Sequence, residues 1–90
     1  MAPRKRHDLD PSSDDFAVRW AINLRRLVDQ RRLSPAEFRE QLEAVGLEVS
    51  PQTVKAWLRG RRLPRVGDLE RIARVLGTTD YRKILPPPRR

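Results

Sequence analysis

The stretch SPQTVKAWLRGRRLP, residues 50–64, is the most informative part of this chain for both its fold and its surface. Its start is typical of a helix, because Ser50 can accept hydrogen bonds at the N-cap and Pro51 suits the first helical position. Gly60 is typical of a helix end, since glycine readily adopts the left-handed backbone conformation found there. We therefore predict a short helix over residues 50–59.

This predicted helix has two different faces, because successive side chains are about 100° apart around a helix. The apolar face contains Val54, Trp57, Leu58 and Pro51. The opposite face contains Gln52, Lys55, Ala56 and Arg59. Residues 50–65 carry five cations and no Asp or Glu, so the outer face and the turn after it should be strongly positive.

The chemistry of the outer face suits double-stranded DNA. A helix fits the major groove, where the amide of Gln52 could pair with adenine, Lys55 with guanine and Ala56 with a thymine methyl group. The arginines at the end of the helix would more naturally meet phosphates, namely Arg59, Arg61 and Arg62. The alternative is an ordinary solvated helix face, against which the absence of acids argues.

Composition narrows the class of protein. With 90 residues and a net charge of +8, the chain is expected to form one small domain with a polyanionic partner. It has no Cys and a single His, His7, so a standard zinc site and histidine-based catalysis are not expected. We predict no cofactor, no metal, no small-molecule ligand and no enzymatic activity.

The remaining sequence predicts further helices and no strand. The first should be capped by Ser12 or Ser13 and end near Arg31. The second starts at Ser34, with Pro35 next and Glu37 completing a capping box, and ends at Gly46. After Pro64, an apolar stripe from Val66 to Leu76 predicts a fourth helix that Gly77 closes, and Thr78 or Thr79 caps a fifth before Pro86. The predicted fold is an all-α bundle of about five short helices.

Residues 14–85 are predicted to form the domain, between a disordered tail at 1–13 and a Pro/Arg tail at 86–90. The five aromatic residues, and Val66 with them, are expected on apolar stripes: Phe16, Trp20, Phe38, Trp57 and Tyr81. No segment looks like a secretion signal or a membrane span, so a cytoplasmic location with no membrane partner is expected.

From Leu33 onward the chain resembles the lambda-repressor/Cro-like, XRE-type helix-turn-helix family. VSPQTVKAWLRGRRLP, residues 49–64, matches the family pattern V-S-x-x-T-[IV]-x-x-[WL]-x-x-G-x-x-x-P without gaps. DLERIARVLGTTDYRKIL, residues 68–85, is similar to the family's fourth and fifth helices. The resemblance covers about residues 16–85.

The resemblance implies a sequence-specific DNA-binding regulator of bacterial or phage type, with residues 50–59 as its recognition helix. The implied base-reading residues are Gln52, Thr53, Lys55 and Ala56. The implied phosphate contacts are Ser50, Arg59, Arg61, Arg62 and Arg65. For Ser50, a role only as N-cap is the alternative. The rival function is an antitoxin or other interaction module that uses the same basic face on a protein.

Three departures from the family pattern affect the presentation of this helix. The connection between the second and third helices is about five residues longer than usual, so either the second helix extends or the turn is a loop. Pro35 replaces a glutamine that often grips phosphate. Pro51 stands where a polar reader is frequent, and Leu58 replaces a frequent Glu and enlarges the buried face.

Two further questions stay open at this stage. The C-terminal residues Tyr81, Ile84 and Leu85 could close the core over the first helix or form a homodimer surface. The basic tail residues could reach DNA or be inert, namely Arg4, Lys5, Arg6, Arg89 and Arg90.

Overall fold

The computed structural model describes residues 15–86, which form four α-helices and one 3-10 helix. The α-helices are α1 (Phe16–Gln30), α2 (Pro35–Ala44), α3 (Pro51–Leu58) and α4 (Val66–Val75), and the 3-10 helix η1 is Tyr81–Ile84. No strand occurs in this range. The predicted all-α bundle is confirmed, and its fifth element is a 3-10 helix of four residues. The tails and their basic residues lie outside the described range.

Two of the predicted helix starts are confirmed in atomic detail. At α2, Ser34 Oγ accepts from the Glu37 amide at 3.1 Å, and the Ser34 amide donates to Glu37 Oε1 at 2.8 Å, which is a capping box. At α3, Ser50 Oγ accepts from the Thr53 amide at 3.1 Å. Both serines precede a proline at the first helical position.

The other two predicted caps are wrong. Asp15 caps α1, accepting from the Ala17 amide at 2.9 Å, whereas Ser12 or Ser13 was expected. Asp80 caps η1, accepting from the Arg82 amide at 3.0 Å, whereas Thr78 or Thr79 was expected. In each case the helix begins later than predicted, and the residue just before it is an aspartate, whose negative charge the N-terminus of a helix favours.

The α-helices end in the same kind of turn, in which an amide two residues beyond the C-cap bonds back into the last turn. In α3 the Arg61 amide donates to the Ala56 carbonyl at 3.0 Å, and in α2 the Leu47 amide donates to the Leu42 carbonyl at 2.9 Å. The predicted terminators all have positive φ, namely Gly46, Gly60 and Gly77. In α1 a non-glycine residue, Arg32, takes this position with φ 57°, which the sequence pattern did not reveal.

One core joins all five elements, because α3 packs on α1 and α2, while η1 packs on α1 and α4. Its largest fully buried side chains are Trp20, Phe38, Leu24, Leu42, Ile72, Ile84 and Val54. Ile84 is therefore a core residue, which agrees with the prediction that the C-terminal residues close the core. Asn23, itself buried, fixes this end by donating from Nδ2 to the Ile84 carbonyl at 2.7 Å.

Two predicted core residues are exposed instead. Phe16 is 44% exposed and Val66 is 70% exposed, although both lie on the apolar stripes of their helices. Each is the first residue of its helix, and at that end of the helix no described element covers the apolar stripe. The stripe predicts the direction of a side chain but not whether another element covers it.

The long connection between α2 and α3 is a loop over residues 45–50, not an extension of α2. Gly46 turns the backbone with φ 92°, and Leu47 is inserted into the core with 8% of its surface exposed. Val49 also packs against the core. The additional residues are thus anchored by apolar side chains, and they hold α3 against α2.

Candidate nucleic-acid interface

The inner face of α3 fixes the orientation of the helix. Val54 and Trp57 are 1% and 2% exposed, and Leu58 packs against the core as its partly buried neighbour. The Trp57 ring meets the Trp20 ring edge to face, with centroids 6.4 Å apart and an interplanar angle of 86°. Such aromatic pairs are favourable beyond the area that they bury. Rotation of α3 about its own axis is thereby prevented.

The outer face of α3 is turned to solvent, as the spacing of its residues around the helix predicted. Gln52, Lys55 and Arg59 are exposed, and Ala56 between them is partly exposed. Within residues 15–86, none of these side chains forms a hydrogen bond or an ion pair. Their polar groups are therefore available to an external partner without breaking an internal interaction.

Ser50 and Thr53 differ from those residues because they already bond to each other. Besides the cap bond, Ser50 Oγ lies 3.0 Å from Thr53 Oγ1, and either hydroxyl can donate. Thr53 is half-buried and Ser50 exposed. The N-cap role of Ser50 is established by this geometry. A contact with a phosphate oxygen would need the Ser50 O–H as donor, which is free only when Thr53 Oγ1 donates the hydrogen bond between the two hydroxyls.

The turn after α3 contains a run of arginines. Gly60 lies against the start of α1: a Cβ built on it would be 3.0 Å from Val18 Cα and 3.3 Å from the Ala17 carbonyl oxygen. This close approach places the end of α3 next to α1. The arginines that follow are exposed and form no hydrogen bond or ion pair with the described residues, namely Arg61, Arg62 and Arg65.

The fold brings a cation from another helix next to the cations of α3. Arg25 of α1 shares with Lys55 and Arg59 a groove of about 480 Å³ between α1, α2 and α3. Its floor includes Val28, Leu33 and Leu58, and Asp29 also lines it. Arg25 comes to this groove only through the packing of α1 on α3, so no local pattern in the sequence identifies it.

Two acids lie near the arginine run. Glu48 and Asp68 line a second groove, of about 260 Å³, together with Arg62 and Arg65. Neither acid forms an ion pair with an arginine in the described part of the chain. The positive field of the run is therefore reduced at one edge but not neutralised by direct contact.

Two features are absent from residues 15–86, a metal-binding cluster and a membrane-spanning helix. No cluster of His, Asp or Glu in this range could hold a metal ion. Among the same residues, no helix combines the length and the apolar character needed to cross a bilayer.

A comparison with protein families identifies the architecture. A family model described as a helix-turn-helix domain matches residues 21–82, which is well over half of the 90 residues. No curated protein and no solved structure matches the chain. The matched range contains α2, the anchored loop and α3, as the resemblance to the lambda-repressor/Cro-like family implied. The chain belongs to the helix-turn-helix domain family.

Proposed function

We propose that this protein is a sequence-specific regulator that binds double-stranded DNA, of the bacterial or phage repressor type, with α3 in the major groove. The helix-turn-helix domain supports DNA binding in general. The observation that carries the proposal is the outer face of α3, which is exposed, free of acids and without internal partners.

In this proposal the residues of α3 divide into two roles. Gln52, Lys55 and Ala56 read base edges from the outer face of α3, and Thr53 reads them from near its start. The phosphate contacts come from the cap and from the end of the helix, namely Ser50, Arg59, Arg61, Arg62 and Arg65. Arg25 joins the second group, since it lies in one groove with Lys55 and Arg59.

The proposed assignment extends to the whole domain. Residues 14–85 form the DNA-binding unit, which acts in the cytoplasm by binding rather than by catalysis and needs no small-molecule ligand. Two copies would form a homodimer that reads half-sites about one helical turn of DNA apart. A palindromic motif selected from a random pool of duplexes would support the dimer, and a single half-site would contradict it.

The test reverses one charge on the outer face of α3 and compares it with the same reversal on α2. Lys55→Glu should lower duplex affinity about 100-fold or more, because placing an acid against phosphates costs several kcal/mol. Arg39→Glu changes the net charge equally, yet Arg39 lies on α2 and pairs with Glu43 at 3.1 Å, so affinity should change only slightly. Fluorescence anisotropy with labelled duplex measures both.

Salt dependence provides the second part of the test. The logarithm of affinity should fall with the logarithm of salt concentration with a slope near −0.9 for each phosphate neutralised. Unaltered helical circular dichroism would show that both variants fold. If Lys55→Glu bound duplex as the unmodified protein does, or if both variants lost affinity equally, α3 would not be the contact helix.

A further inference from the structure

A small apolar cavity lies away from the outer face of α3, between the start of α1, the connection from α3 to α4, and the end of η1. It measures about 150 Å³, and its lining includes Trp20, Pro64, Leu69 and Leu85. The three large hydrophobic side chains exposed in residues 15–86 line it as well, namely Phe16, Leu63 and Val66. The exposed apolar surface of the described chain is thus concentrated at one place.

Single exposed hydrophobic residues are ordinary. Three of them around one apolar cavity provide a place where a further apolar group can be buried. An apolar cavity of roughly 150 Å³ can accept a guest the size of benzene. One aliphatic side chain is therefore an appropriate occupant.

The course of the chain brings a candidate occupant to this site. Phe16 lines the cavity and is the second described residue, so the point at which residues 1–14 are joined to the described chain is close by. In that segment the large aliphatic side chains are Met1 and Leu9. Leu9 is seven residues from Phe16, and an extended segment of that length spans up to about 24 Å. The reach is sufficient for Leu9 to turn back into the cavity.

Charge favours the same occupant. Leu9 stands between Asp8 and Asp10, in the sequence DLD. At the cavity, Leu63 and Pro64 stand between Arg62 and Arg65, which are exposed and form no ion pair with the described residues. The two segments thus present apolar and oppositely charged groups in the same order. Glu48 and Asp68 line a neighbouring groove with the same two arginines but form no ion pair with them.

We propose that residues 8–10 of the same chain dock on this surface, with Leu9 in the cavity and the two aspartates toward Arg62 and Arg65. Tethering makes the contact intramolecular, which gives it an effective concentration in the millimolar range for a short linker. One consequence rests on the proposed function: Arg62 and Arg65 are proposed phosphate contacts, so the docked segment competes with DNA.

The docking is tested on the full chain without DNA by methyl NMR. We expect nuclear Overhauser effects from the Leu9 methyl groups to the Phe16 ring and to the Val66 methyl groups. Leu9→Ser should shift the Leu63 and Val66 methyl resonances, whereas Pro3→Ser, another apolar-to-serine change in the same segment, should leave them in place. Absence of the Leu9 contacts, or equal effects of both variants, would overturn the proposal.

The alternative occupant is a second copy of the protein, which the same experiment can detect. In a sample that mixes labelled and unlabelled chains, contacts to Leu63 and Val66 that pass between chains would overturn intramolecular docking. The competition with DNA is tested separately, because Leu9→Ser changes no charge. Leu9→Ser should bind duplex a few-fold more tightly than Pro3→Ser. Equal affinities would refute the competition with DNA, whereas the docking itself is decided by the NMR contacts.

Discussion

Helices α2 and α3 begin and end alike but differ in what they present to solvent. Each begins with a capping serine followed by proline, buries an aromatic residue, and ends at a glycine with positive φ. The surface of α2 carries Glu37, Glu40 and Glu43 with one arginine, whereas α3 and the turn after it have only cations. Caps and buried faces therefore determine that both are helices, and the exposed charges separate the packing helix from the proposed contact helix.

The buried faces should respond alike to truncation, which is the largest effect that we predict. Phe38→Ala in α2 and Trp57→Ala in α3 should each lower the free energy of unfolding by about 3–5 kcal/mol, because both side chains are almost fully buried. Urea denaturation followed by circular dichroism measures the loss. If Trp57→Ala cost less than about 1 kcal/mol, α3 would not be held as the structure indicates.

The glycines that end the two helices should differ. Gly46→Ala places a Cβ in ordinary van der Waals contact, 3.6 Å from Arg71 Nε, so it should cost only the left-handed backbone penalty of about 1–2 kcal/mol. Gly60→Ala adds a contact of 3.0 Å with Val18 Cα, which is backbone and cannot move aside cheaply. We expect it to cost at least about 1 kcal/mol more. Equal melting-temperature losses would show that α1 yields at this contact.

The exposed glutamines provide a comparison of specificity. Gln52→Ala in α3 should relax base preference at one or two positions of the selected site, since a paired amide contact is worth about 1–3 kcal/mol of discrimination. Gln41→Ala, the same change on the exposed surface of α2, should leave the selected motif unchanged. Sequencing of duplexes selected from a random pool measures both, and identical motifs for all three proteins would exclude Gln52 as a reader.

Removal of the two serine caps should give the smallest change in stability, and it tests whether Ser50 also contacts DNA. Ser34→Ala and Ser50→Ala should each cost about 1 kcal/mol of stability, because each removes one cap bond of 3.1 Å. If Ser50 also contacts phosphate, only Ser50→Ala lowers duplex affinity, measured well below the melting temperature. An affinity equal to that of Ser34→Ala would restrict Ser50 to the cap.

Much of the fold could be predicted from the sequence because it depends on local signals. The serine-proline starts of α2 and α3, their glycine ends, and the two faces of α3 each follow from residues within one or two turns. The α1 and η1 caps were misjudged because serine, threonine and aspartate compete for the same role within a few residues of each other. Local preference alone cannot decide between neighbouring caps of similar strength.

By itself, the sequence determined an all-α chain, with a third helix whose polar face carries no acid. Only the tertiary structure decided that the long connection is a loop anchored by Leu47, that Arg25 joins Lys55 and Arg59, and that Phe16 and Val66 remain exposed. The physical reason is that helix caps and faces arise from residues close in sequence. Burial and the grouping of distant charges depend on which elements pack together.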